Sequence, residues 1–106
     1  MKIYRLDEMT RGWFVGNFSP TCLPLTTCEV GCKYYRAGDK EEKHIHKEVT
    51  EITLIVSGLV KMNDNEYKNG DIILLLPGEP CDFFAIEDTI TVIVKSPSIS
   101  SDKFFI

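Results

Sequence analysis

The sequence predicts a single all-β domain, a small barrel built from two antiparallel sheets. Three observations carry that reading. Helical periodicity is poor along the chain, whereas short runs of β-branched and aromatic residues recur. Turn signals separate those runs at close intervals: Ala37-Gly38-Asp39, Ser57-Gly58, Asn63-Asp64-Asn65, Asn69-Gly70-Asp71 and Pro77-Gly78. Strands of this length with turns so near together make a sandwich or barrel. Finally, 106 residues, 43% of them hydrophobic, amount to one domain. A chain of this size buries roughly 65% of its unfolded surface and needs no disulfide or structural metal to hold a core.

The strands are expected in this order. Ile3–Leu6 and Trp13–Phe18 are short, aromatic and β-branched. Glu29–Arg36 alternates, with Val30, Cys32 and Tyr34 on one face and Glu29, Gly31, Lys33 and Tyr35 on the other. The more apolar of these faces, with Cys32 and Tyr34, is expected to pack inward or to line a pocket. Thr50–Ser57, Leu59–Met62, Asp71–Leu76 and Thr89–Lys95 complete the set. Ile72–Leu76 and Ile90–Val94 are apolar on both faces and are expected to be covered on both sides, by the opposing sheet within and by an oligomer contact or the tail without. The tail ends Phe104-Phe105-Ile106, which should pack on the barrel or on a second subunit. Trp13, Phe14 and Phe18 suit core or interface packing, or a platform for a ligand.

Charge and cysteine usage exclude several classes. Twelve basic against sixteen acidic residues give −4, and no basic run is present, which argues against nucleic acid or an anionic membrane as partner. Met1–Thr10 carries four charged residues and lacks the apolar stretch of a signal peptide, so a cytoplasmic address is the expectation. Cys22, Cys28, Cys32 and Cys81 are then thiols. Cys28 and Cys32 are spaced C-x3-C, and on one strand they would lie about 13 Å apart, beyond disulfide reach. No phosphate-binding loop, dinucleotide fingerprint or nucleophile motif is present.

The chemistry concentrates in one segment. The two histidines of the chain, His44 and His46, stand one residue apart in GDKEEKHIHKEVTEITLIVSG, from Gly38 to Gly58. On a strand both imidazoles point to the same face, ~6.6 Å apart along the backbone, and can share a metal at ~2.1 Å each. Glu51 has the opposite parity, so it reaches the histidines only if the chain turns within Lys47–Thr50. An unbroken strand from His44 to Ile55 would refute that arrangement. A buried Glu51 needs a cationic partner, and a metal or a histidinium would serve. Gly38 and Gly58 would bracket the pair of strands at turns of positive φ.

The segment Gly38–Gly58 reads G-x5-H-x-H-x4-E-x6-G and resembles the first motif of the cupin superfamily at Gly38, His44, His46, Glu51 and Gly58. A second cupin motif, G-x5-P-x-G-x2-H-x3-N, is matched at Gly70 and Gly78, while Leu76 stands for its proline, Cys81 for its histidine and Ala85 for its asparagine. The resemblance spans Gly38–Ala85 and implies one cupin domain over residues 1–106, a jelly-roll barrel with a ligand cavity at its mouth and, commonly, a homodimer, with which the apolar strands and tail are consistent. It implies a divalent metal, Zn, Fe, Mn or Ni, on His44, His46 and Glu51. Cys81 is a thiolate ligand, an apolar filler, or the mark of a barrel that has lost its metal. Three functions follow: a metal-dependent enzyme acting on a small polar metabolite or sugar, a non-catalytic small-ligand module or sensor, and a metal-free sugar-nucleotide isomerase or epimerase. In the last, a histidine is base and Tyr34 or Tyr35 acid.

Overall fold

Ten strands form two five-stranded sheets in the computed structural model, which describes residues 1–106. They are β1 (Trp13–Val15), β2 (Glu29–Tyr35), β3 (Lys40–Ile45), β4 (Thr50–Ser57), β5 (Leu59–Met62), β6 (Asn65–Lys68), β7 (Ile72–Leu75), β8 (Cys81–Ala85), β9 (Thr89–Ser96) and β10 (Phe104–Phe105). The order is β1-β2-β9-β4-β7 in one sheet and β10-β3-β8-β5-β6 in the other. Every pairing is antiparallel, as in the predicted barrel of two sheets.

The core lies between the sheets at one end of the barrel, in Ile55, Val60, Met62, Leu75, Cys81, Phe83 and Ala85. The Tyr35 and Phe83 rings meet across it at 4.5 Å between centroids. Ile55 and Val60 are completely buried, each worth about 1.5–3 kcal/mol of transfer free energy. The turn between β4 and β5 explains one motif glycine. Gly58 has φ +114°, and a Cβ there would stand 2.3 Å from Thr89 Oγ1 and 2.6 Å from the Asp88 carbonyl oxygen.

Some expected elements differ. Ile3–Leu6 forms no strand; Leu6–Glu8 is a 3-10 turn instead, closed by Glu8 N–H donating to the Arg5 carbonyl. A tetrapeptide without a sheet edge to join has nothing to pair its backbone. The first strand stops at Val15, where the chain leaves in a long loop toward Glu29. β3, β6 and β8 stand where no alternation of apolar residues announces them: KEEKHI, NEYK and CDFFA.

Ile72–Leu75 is apolar on both faces, yet only its inner face is covered. Ile72 and Leu74 are 68% and 55% exposed on the outside. The tail covers a different place: β10 adds to the edge of the other sheet, with Phe104 opposite Ile45 and Phe105 opposite His44. No helix is long and apolar enough to cross a membrane.

Candidate metal centre and ligand cavity

The chain turns where the parity argument requires. β3 ends at Ile45 in one sheet and β4 begins at Thr50 in the other, so residues 46–49 pass between the sheets. His46 N–H and C=O no longer belong to a ladder; the His46 carbonyl accepts from Gly78 N–H instead. After the turn Glu51 and Thr53 face inward on β4. His44, His46, Glu51 and Cys81 all line one cavity of about 420 Å³.

Both imidazoles are fixed by backbone carbonyls. His44 Nδ1 lies 2.8 Å from the Glu42 carbonyl oxygen, and His46 Nδ1 bonds the Asp102 carbonyl. A carbonyl only accepts, so each Nδ1 carries a proton, and a neutral ring presents Nε2 as a lone pair. This is the usual way a metal-ligating histidine is oriented. His46 is 7% exposed and its Nε2 has no hydrogen-bond partner. That lone pair faces Glu51 Oε1 at 3.7 Å. Two acceptors in a buried place repel unless a cation lies between or beside them. Two imidazoles on one tetrahedral ion place their ring centroids roughly 5 Å apart, and His44 and His46 stand at 5.2 Å with the rings nearly perpendicular. The chemistry of these donors therefore fits a divalent ion. No three His, Cys, Asp or Glu side chains are clustered closely enough to hold an ion as they stand.

Cys81 fits less well as an anionic ligand. It is directly opposite His44 in the β3–β8 register and is buried. Burial pushes its thiol up to about 12, and the charges of Glu51, Asp82 and Glu41 add to that. Its Sγ donates to the Asp82 carbonyl at 3.0 Å, and the side chain belongs to the apolar core cluster.

Three features of the site are not among the fixed residues of the histidine motif. Asp102 stands only four residues from the end of the sequence, yet it is 8% exposed. Its carboxylate accepts the N–H groups of Lys47, Glu48 and Val49 at 3.0 Å each, clamping the turn that separates His46 from Glu51. Desolvation would raise its carboxyl, but those three N–H donors outweigh it and hold the group below the ordinary carboxylate range. Lys95 Nζ stands 3.8 Å from Glu51 Oε1 and supplies a resident cation. Glu41 accepts the Tyr35 hydroxyl at 2.8 Å and pairs with Lys103 at 3.6 Å.

The face of β2 is the reverse of the expected one. Tyr34 is 68% exposed, whereas Glu29, Lys33 and Tyr35 line the cavity. Hydrophobicity alone selects the wrong face because the cavity is polar. Cys32 and Tyr34 point away from it, and of the two tyrosines considered as acids only Tyr35 is at the site. Burial and the Glu41 charge, aided by the hydrogen bond to it, hold the Tyr35 phenol far above its ordinary value. All four cysteines are free.

No family model matches the chain, and no curated protein matches it significantly. Solved structures do. An uncharacterised protein with a double-stranded β-helix domain from Klebsiella pneumoniae aligns with TM-score 0.69 and 21% identity, over 92% of this chain and 85% of that one. An RmlC-like cupin from Shewanella frigidimarina aligns with TM-score 0.67 and 15% identity, over 71% of this chain and 70% of that one. The fold is that of the cupins. The same cupin barrel aligns with the DMSP lyase DddQ of Ruegeria pomeroyi at TM-score 0.72 and 14% identity, over 88% of this chain but 49% of the lyase. Cupin barrels of this shape thus occur in an enzyme and in an uncharacterised protein, so function has to come from the cavity itself.

Proposed function

We propose that this cupin binds a divalent metal ion through His44, His46 and Glu51 and acts on a small polar metabolite in the adjoining cavity. The observation that carries the reading is the buried Nε2 of His46. It is left without a hydrogen bond, has its tautomer set by the Asp102 carbonyl, and faces a carboxylate at 3.7 Å. His44 would supply the second nitrogen and Glu51 the oxygen. Cys81 stays a thiol beside them and fills space. Bound there, the ion would act as a Lewis acid toward a carbonyl or hydroxyl. The chain itself orients both rings through the Glu42 and Asp102 carbonyls, holds Glu51 with Lys95, and walls one side with core side chains.

A second reading rests on Lys95. Its ammonium already offsets part of the Glu51 charge, which suits a cavity working without metal, with His46 Nε2 as a base or as an acceptor in a binding module. Metal analysis separates the two. Purified protein grown with metal supplementation should carry close to one equivalent of ion in the wild type. It should carry almost none in His46→Ala and keep it in Cys81→Ala. No stoichiometric metal in the wild type would retire the first reading. Loss in Cys81→Ala as well would make the thiol a ligand. With metal in place, turnover abolished by His46→Ala would mark an enzyme, and binding without turnover a module.

A further inference from the structure

The inward face of the β1-β2-β9-β4 sheet is organised in rows. Cross-strand register places Glu29, Lys95 and Glu51 in one row, Trp13, Gly31, Ile93 and Thr53 in the next, and Lys33, Thr91 and Ile55 in the third. In the first row Lys95 stands between two carboxylates. In the third row Lys33 has the Thr91 hydroxyl beside it, with Ile55 beyond, and no carboxylate. Between them lies the indole of Trp13, with Lys33 Nζ and Lys95 Nζ each 5.0 Å from its ring. Gly31 makes that seat possible, since a Cβ there would stand 2.7 Å from the ring.

The polar groups of the cavity divide into satisfied and unsatisfied. Its carboxylates are all engaged: Glu29 accepts Ser98 Oγ–H, Glu41 is held by Tyr35 and Lys103, Glu51 by Lys95, Asp82 by Asn63 N–H, and Asp102 by three backbone N–H groups. Two groups on the third row are left over. Lys33 forms no ion pair, and Thr91 Oγ1, on a residue with no exposed surface, has no partner. They are direct cross-strand neighbours, a separation of roughly 5 Å between Cβ atoms. A half-buried ammonium, in contact with the Trp13 ring and with Glu41 as its nearest opposite charge but not in an ion pair, stands beside a buried hydroxyl, and both face the cavity. Arg11, also without an ion pair, stands at the same wall.

We propose that Lys33 and Thr91 bind the carboxylate of a small organic acid, which lies beside Trp13 and extends toward His46 and Glu51. The carboxylate takes a charge-assisted hydrogen bond from Lys33 and a second from the Thr91 hydroxyl. Trp13, seated on Gly31 with both ammoniums over its ring, holds Lys33 and Lys95 at the cavity wall. A monoanion suits the site better than a phosphate dianion, because five carboxylates line the same cavity as four cationic side chains. Burial already disfavours the charged form of Lys33, and Lys95, Lys103 and Arg11 act in the same direction against Glu41; a bound anion reverses that balance. This inference names the substrate class of the proposed metal site and rests on that reading for its chemistry, though not for its binding contacts.

The test is ligand binding by calorimetry with probes that share a skeleton. Glycolate, lactate and D-glucuronate would be compared with glycolamide, lactamide, D-glucose and D-glucose 6-phosphate, on wild type, Lys33→Met, Thr91→Val and His46→Ala. At least one carboxylate should bind, and its neutral counterpart should bind tenfold more weakly or not at all. Lys33→Met should weaken that carboxylate tenfold or more. Thr91→Val should weaken it severalfold while raising the melting temperature, because a methyl replaces an orphaned hydroxyl; a merely structural threonine would not separate those two effects. His46→Ala should lose metal and keep the carboxylate, so failure of the metal reading leaves a different signature from failure of this one. Absence of binding by all three acids, equal affinity in Lys33→Met, or tighter binding of the phosphate ester overturns the proposal.

Discussion

Removing the Asp102 carboxylate should cost this small barrel a large part of its stability, and the amount follows from three hydrogen bonds. In Asp102→Ala the N–H of Val49, a buried residue, is left without its acceptor, at a cost of about 1–3 kcal/mol. The N–H groups of Lys47 and Glu48 lose theirs too, but both residues are exposed and water can replace the bond, so about 1 kcal/mol each is appropriate. The sum is about 4 kcal/mol. With an unfolding entropy of about 2.1 cal/mol/K per residue, that is a fall of roughly 15–20 °C in Tm. Asp102→Asn keeps one acceptor oxygen and should lose about half as much. The pH dependence has a definite sign. The folded carboxyl is held below its ordinary value by the N–H donors. Its contribution is therefore complete above the unfolded value of about 3.9 and is lost as the pH falls through the lower folded value. Urea denaturation of both proteins from pH 7 down to pH 3 should show a gap that is constant above pH 5 and closes below pH 4. A loss under 1 kcal/mol at pH 7, or a gap that persists unchanged at pH 3, would refute the clamp.

Other consequences can be checked singly. Gly58→Ala should cost about 3 kcal/mol, combining a positive φ with a Cβ 2.3 Å from Thr89 Oγ1. Gly38→Ala, at φ +95° with nothing within 4 Å, should cost only the ~1–2 kcal/mol of backbone strain; thermal unfolding of the two variants measures the difference. Cys81, with its thiol pushed to about 12, should alkylate with iodoacetamide at pH 8 roughly three orders of magnitude more slowly than an ordinary thiol, and peptide mapping should find Cys22 and Cys28 modified first. If a second copy covers the exposed Ile72 and Leu74, sedimentation velocity should give a dimer for the wild type and a monomer for Leu74→Glu.

Much of the barrel was legible because apolar alternation and turn chemistry agree over most of it. Thr50–Ser57 and Leu59–Met62 are strands over those bounds. The strands without such agreement are polar for a reason. Lys40–Ile45 carries charge to the cavity mouth and is held in place by pairing with β8 and β10 rather than by burial of its own side chains. The H-x-H and Glu51 parities could be read because spacing on a strand fixes the face, and the forced turn at 46–49 followed from them. Asp102 could not be found that way. Its contact with Val49 spans 53 positions, and a lone Asp in a polar tail carries no local signal.

The face of β2 is the instructive failure. The rule that apolar residues point inward selects Val30, Cys32 and Tyr34, and it is wrong because the opposite face lines a cavity. A strand that turns Glu29 and Lys33 inward sacrifices packing that Val or Ile there would provide, and its neighbour β9 does the same with Thr91 and Lys95. Gly31 and Trp13 then fill the gap between the charged rows, the glycine making room for the indole. Burial of these groups is destabilising unless each charge has a partner, and Lys95 finds one in Glu51 while Lys33 does not. The face that the pattern misassigns is thus the one where the barrel gives up stability for polar groups pointing at a cavity. Such a local conflict between propensity and placement is where function is most often lodged, and on this chain it falls on a wall of the same cavity that His46 lines.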